Sequence, residues 1–297
     1  MSRTAERTAT GEEQRRDAGE SERQERPGQR RRRRRRSLIL YGTATLLALW
    51  VLIPVYLITI FAFTTRNEVY EYPHAFFPKN LSLDTMTFFT TFAGVLPALG
   101  RSVAVAFLTL VVTLAIGAPA GYALARFIFP GRNVYRLVVL STRAFPIVIL
   151  SIPLAVTFLS IGLNDTIWAV ASVHTALALP FAVLITSSVF VGVPGELEEA
   201  ALVYGCTPFQ AFRKIVLPMA LPGLAAAAVF TFVVSWNEVF AATILTVQSP
   251  TLPALVLSNL TASPLPFRFA AGWFLLAPSL VFIFFVRKRL LGLWGAQ

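Results

Sequence analysis

Residues 198–218 read EEAALVYGCTPFQAFRKIVLP. The stretch holds two acids, Glu198 and Glu199, and two bases, Arg213 and Lys214, yet apolar runs long enough to cross a bilayer flank it on both sides. Pro194 and Gly195 close the run before it. Glu196, Glu198 and Glu199 then fall in a first helical turn, where acids complement the positive end of the helix dipole. Leu197, Ala200, Ala201 and Tyr204 recur at i, i+3, i+4 and i+7, which is one apolar stripe with two alanines in it. Gly205 suits the position after the helix, where a left-handed residue ends it without a Cβ clash. Thr207, Pro208 and Gln210 have the order of a capping box with proline in the first turn, so a second helix starts there. Phe209, Phe212 and Ile215 or Val216 give that helix an apolar stripe, and Pro218 and Pro222 are expected to break the chain before the next run. The stretch is a polar helix-turn-helix whose alanine face is too small to be its own core. It either lies on the membrane surface as an amphipathic hairpin or docks another protein.

The flanking runs set the fold class. Of 297 residues, 56% are hydrophobic and 14% charged, where a soluble domain carries about a quarter charged. Six apolar runs are long enough to span as helices: residues 38–63, 102–125, 137–163, 167–193, 221–247 and 269–286. They are continuous, without the alternation of barrel strands. The chain is therefore expected to be an all-α membrane protein with six transmembrane helices, a six-helix domain over residues 37–297 that contains the polar loop, 194–222. The one cysteine, Cys206, excludes an internal disulfide. His74 and His174 lie far apart and no cluster has metal-ligand spacing. No nucleophile or acid-base pair stands at catalytic spacing, so neither an enzyme, a cofactor nor a metal is expected.

Residues 1–36 carry 13 arginines and seven acids with almost no apolar residues, the composition of a disordered tail. Seven consecutive arginines, Arg30 to Arg36, end it against the first apolar run. Beside a membrane span they read as an anchor on the cytoplasmic side and a contact for anionic lipid, rather than as a nucleic-acid site. With that end inside, Arg126, Arg132 and Arg136, then Arg213 and Lys214, then Arg287, Lys288 and Arg289 also fall inside, so both termini are expected in the cytoplasm. The outer loop from Thr64 to Arg101, with Pro73, Pro78 and Pro97 among aromatics, is expected to pack as an ordered cap.

The loop resembles the hallmark of the membrane permease subunits of ABC importers: Glu199-Ala200-Ala201, Gly205 four residues on, then Ile215-Val216-Leu217-Pro218. Within that family the chain is similar to the carbohydrate-type, maltose-permease-like members. Gly121-Tyr122-Ala123-Leu124-Ala125-Arg126-Phe127 with Phe129-Pro130-Gly131 resembles a second landmark, and Trp236-Asn237-Glu238 a third. Relatives usually carry an acid before the loop glycine and alanine after it; here Tyr204 and Cys206 stand there. The resemblance implies a type I importer permease in the bacterial inner membrane. It implies that Glu199, Ala200, Ala201, Tyr204, Gly205, Ile215, Leu217 and Pro218 couple to a dimer of cytoplasmic ATPase subunits. A second permease and an extracytoplasmic solute-binding protein are the other implied partners, and a sugar or oligosaccharide the solute. The chain has no G-x-x-x-x-G-K-[ST] phosphate loop, so ATP hydrolysis falls to a partner. A polyamine or an inorganic anion is the alternative solute, and an autonomous secondary transporter the alternative class. Such transporters usually carry inverted repeats, and none is evident.

A carboxylate in a span costs ~2.5–3.5 kcal/mol on insertion scales, so Glu238 needs a cavity or a partner. Either Trp236, Asn237 and Glu238 line the solute path, or Glu238 makes a structural contact with a neighbouring helix or with the second permease. His174 is expected in a helix-helix hydrogen bond, and Arg143 either to reach toward the inner interface or to occupy the inner vestibule.

Overall fold

The computed structural model describes residues 27–73, 77 and 79–291, and among them the chain is helix and turn without a strand. Of the tail expected to be disordered, residues 1–26 lie outside the described residues. Helix α1, Pro27–Ala62, already includes the arginine run and continues through the first apolar run. Up to Leu57 it forms a unit by itself, with Leu46, Trp50 and Ile53 exposed along it.

From Ile58 the chain forms a second unit. The described residues of the segment after α1 pack within this unit. Its helix α2, Asp84–Thr91, buries Phe89, whose ring lies 4.9 Å from Phe267 and 5.1 Å from Phe274. Thr85 Oγ1 donates to the Thr64 carbonyl at 2.8 Å. The Arg66 backbone N–H, and then its guanidinium, hold the Asp84 carboxyl below its usual range.

Helix α3, Val95–Arg126, begins earlier than its apolar run, because Pro97 fits a first turn. The third run is not one straight helix. Helix α4, Arg132–Ser141, and helix α5, Ile147–Ser160, meet at a bend of 86°. Pro146 is the cause: the residue before a proline is driven out of the helical region, and Phe145 is extended, with ψ 120°. Helix α6 follows at Ile167–Val191 and helix α7 at Gly195–Val203.

The fifth run departs from expectation at both ends. Pro218 and Pro222 do not break the chain, and helix α8 runs over Pro208–Asn237, 30 residues. A wide turn over Phe212–Val216, closed by the Leu217 N–H on the Phe212 carbonyl, lies just before Pro218. Such a turn relaxes the i→i+4 ladder where the proline has no N–H to give. At the other end the helix stops at Asn237 rather than at Val247. The chain then folds back in two short helices, α9, Phe240–Leu245, and α10, Leu252–Asn259. Asp165, with φ 58°, holds this return to the turn after α5: its N–H donates to the Leu245 carbonyl at 3.1 Å, and Oδ1 accepts from Gln248 N at 2.8 Å and Ser249 N at 3.2 Å. Helix α11, Leu265–Leu291, begins ahead of its apolar run because Arg268 turns back to the Ser263 and Thr261 carbonyls. Five described helices are long and apolar enough to cross a membrane, and six if the bent α4–α5 pair is one span.

The closest helix packing joins α3 to α6. A Cβ added at Gly121 would sit 2.0 Å from Thr186 Oγ1 and 2.7 Å from the Ser187 backbone nitrogen. One turn earlier, Thr186 Oγ1 donates to the Gly117 carbonyl at 2.9 Å. Gly117 and Gly121 are a small-xxx-small pair, the spacing that brings helix backbones together in a bilayer. Gly121→Val should lower the melting temperature in detergent, followed by tryptophan fluorescence, by the equivalent of about 2 kcal/mol of overpacking. Gly100→Ala, on the same helix with nothing within 4 Å of the new Cβ, should leave it unchanged.

Candidate functional site

The hairpin of α7 and the start of α8 is capped as its sequence predicts. Gly205 is left-handed, φ 86°. Its N–H donates to the Leu202 carbonyl and that of Cys206 to the Ala201 carbonyl, both at 3.0 Å. These are the two bonds of a Schellman motif. The capping box is formed in both directions: Thr207 N–H donates to Gln210 Oε1 at 3.0 Å and Gln210 N–H to Thr207 Oγ1 at 3.3 Å.

The apolar stripe of α7 does not pack on this chain as a stripe. Of Leu197, Ala200, Ala201 and Tyr204, only Ala201 is buried. Tyr204 caps the helix end, 89% exposed, beside Val203 at 85%. Leu197 and Phe209 are exposed too, as is Glu199. The hairpin borrows its core instead. Phe212 and Val216 pack with Ala118, Phe190, Ala220 and Leu224, and the Tyr122 ring lies 4.6 Å from Phe212 and 5.6 Å from Phe190.

Glu198 turns away from Glu199, toward α3. Its Oε2 pairs with Arg126 Nε at 3.0 Å, and its Oε1 accepts from the Tyr122 hydroxyl. Arg126 Nη2 also donates to the Val193 carbonyl at 2.8 Å, just ahead of α7. The stretch Gly121 to Phe127 is thus the seat of the hairpin, with Gly121 holding α3 against α6 and Tyr122 and Arg126 gripping α7. The sequence carried one signal of this: Glu198 and Glu199 are adjacent on a helix and so diverge by about 100°. Ile215 is half-buried, Leu217 half-buried and Pro218 exposed at the wide turn.

Trp236, Asn237 and Glu238 are neighbours that point to three places. Trp236 is 1% exposed, stacks on Phe232 at 5.7 Å and donates Nε1–H to the Leu275 carbonyl at 2.8 Å. Asn237 is exposed and donates to the Val233 carbonyl of its own helix. Glu238 ends α8 in an extended conformation and caps α9, accepting from Ala241 N at 3.0 Å and Ala242 N at 3.2 Å. Its Oε2 also lies 3.1 Å from His174 Nε2 on α6. His174 is buried and makes the expected helix-helix hydrogen bond twice over, since Nδ1 lies 2.9 Å from Ser235 Oγ. Ser235 in turn reaches Thr109 of α3 at 3.4 Å. A carboxylate here needs donors, and ending the helix at Asn237 frees the two backbone N–H groups that supply them. Arg143 sits at the bend before α5, donates to the Leu177 carbonyl at 2.8 Å and lies over the Phe181 ring at 4.9 Å. No group of three or more His, Cys, Asp or Glu among the described residues could hold a metal.

Residues 116–290 match the family described as binding-protein-dependent transport system inner membrane component. The chain is 35% identical over 199 residues to the trehalose transport system permease protein SugB of Mycobacterium tuberculosis, covering 65% of this chain and 73% of that one. It is 33% identical over 196 residues to the diacetylchitobiose uptake system permease protein NgcG of Streptomyces coelicolor, covering 65% of each. In fold it is similar to a chain of a bacterial ABC transporter involved in the import of the acidic polysaccharide alginate, with a TM-score of 0.63 and 19% identity, covering 86% of this chain and 97% of that one.

Glu198→Ala leaves Arg126 without its acid and removes a charge-assisted bond that contributes about 2 kcal/mol. Hydrogen exchange over residues 195–215 should quicken in Glu198→Ala and stay unchanged in Glu199→Ala, whose side chain is exposed.

Proposed function

The chain belongs to the family of binding-protein-dependent transport system inner membrane components, and we propose that it is the permease subunit of an ATP-driven ABC importer for a sugar or oligosaccharide. The observation that carries the coupling role is the hairpin's outward face. Leu197, Val203, Tyr204 and Phe209 are exposed on an element capped at its turn and gripped from behind by Arg126 and Tyr122. An apolar face on a braced helix fits a groove in a partner. The partner is a cytoplasmic ATPase dimer, contacted through Glu199, Ala200, Tyr204 and the turn at Gly205. Ala201, Ile215, Leu217 and Pro218 hold the hairpin's shape.

The arginine run and the basic residues of the hairpin support a cytoplasmic side for both. The solute is a sugar on the names of the two relatives, one a trehalose and one a diacetylchitobiose system. A polyamine would need the Glu238 carboxylate, which His174 and two backbone N–H groups already engage. Of the third landmark, exposed Asn237 meets the solute, while Trp236 and Glu238 hold the break beside it. A second permease supplies the other half of the path, and a binding protein outside delivers the solute.

Affinity purification of the tagged chain in mild detergent tests this reading. An ATPase, a second membrane-spanning permease and a solute-binding protein should come with it; a chain that emerges alone and still moves sugar in liposomes would overturn it. Within that complex, Glu199→Ala and Gly205→Asp should abolish uptake while abundance in the membrane stays normal. The left-handed turn makes any side chain at Gly205 cost ~1 kcal/mol or more.

A further inference from the structure

Two mechanical routes leave the hairpin, and they meet again at one buried pair. The first is covalent. Helix α8 runs unbroken from Pro208 in the hairpin to Asn237, a lever of roughly 45 Å at 1.5 Å per residue. Glu238 stands at its far end. The second route starts at Glu198, passes through Arg126 and Tyr122 into α3, and crosses to α6 where Gly117 and Gly121 meet Ala182 and Thr186. Helix α6 carries His174. We propose that the His174–Glu238 pair is a coupling latch, the point at which motion of the hairpin relative to the α3–α6 pair is converted into opening or closing of the broken end of α8. The proposal rests on the importer reading and deepens it.

Three observations support a latch over a passive contact. The pair is the junction of the two routes, so a tilt of α8 against α3 and α6 shears it. It is also enclosed: in the crevice bounded by His174, Glu238, Ser235, Ser102 and Thr251, the His174 and Glu238 side chains are 1% and 8% exposed. An acid and an imidazole held in such a place are bonded or expensively separated, with little in between, which makes the contact two-state rather than elastic. Finally, Thr251 Oγ1, 4% exposed and bordering the same crevice, has no hydrogen-bond partner. A free hydroxyl beside the pair offers Glu238 an alternative partner when it leaves His174. Ser102, on the same crevice, accepts the Leu252 N–H at 2.7 Å and keeps its own O–H to donate.

His174 is thus a positioning residue, and the ratio of solute moved to ATP hydrolysed reads it out. The experiment uses the purified complex with its co-purified partners in proteoliposomes, with labelled trehalose and diacetylchitobiose as probes. In His174→Ala, ATP hydrolysis should persist while sugar moved per ATP falls roughly tenfold, a coupling loss of the usual size. His174→Gln, which can still donate to Glu238, should recover most of the ratio. An unchanged ratio in His174→Ala overturns the latch, and so does a parallel fall of hydrolysis, uptake and melting temperature that leaves the ratio intact. Should His174→Ala fail to assemble, Ser235→Ala removes the Nδ1 partner, along with the longer bond to Thr109 that Thr109→Val removes by itself; Ser235→Ala must lower the ratio in the same direction and further than Thr109→Val, and no change there overturns the proposal. A wild-type complex that holds no ATPase overturns the importer reading and the latch with it, whereas an active wild type with insensitive variants overturns only the latch.

Discussion

Backbone contact between α3 and α6 at Gly121 is the constraint on which the other features depend. A bilayer supplies no hydrophobic force between helices, so close packing and buried hydrogen bonds must hold them. The missing side chain at Gly121 lets Thr186 reach the Gly117 carbonyl. That approach sets the end of α3 beside α7, where Arg126 and Tyr122 find Glu198. Further along the same two helices, Thr109 and His174 come within reach of Ser235 on α8. One contact of small residues therefore positions the hairpin at one end and the polar centre deeper in the bundle.

The helices break where a local chemical demand outweighs the ladder. Pro146 forces the bend in the third run through steric exclusion at Phe145. Glu238 marks the end of the fifth, where its carboxyl takes two N–H groups that a continuing helix would use and meets an imidazole as well. Pro218 does neither. Its missing donor is absorbed by a turn closed one residue wider, and the helix passes through. Proline thus gives different results at two places, depending on whether the chain around it can widen.

What could be read in advance follows the range of the interaction. The turn at Gly205 and the capping box at Thr207 are made within a few residues, and the sequence predicts both. So does the count of apolar runs, since hydropathy is additive along the chain. The burial of α7 is different. Spacing gave Leu197, Ala200, Ala201 and Tyr204 one face, but which face turns inward was decided by Arg126, 72 residues from its partner Glu198. Trp236, Asn237 and Glu238 likewise read as one constellation in sequence and separate in space, because the helix ends among them. Gly117 and Gly121 did carry a visible signal, a small-xxx-small pair inside an apolar run.

The order of residues along the chain bears on how the bundle is made. His174 precedes Glu238 by 64 residues. Alone in hydrocarbon, the carboxylate would cost ~2.5–3.5 kcal/mol. Synthesis delivers the imidazole first, so the acid arrives where a hydrogen-bonding neighbour already stands. Helix α8 is long and apolar enough to cross by itself, so the order of synthesis supplies a partner for the acid at its end rather than a condition for insertion.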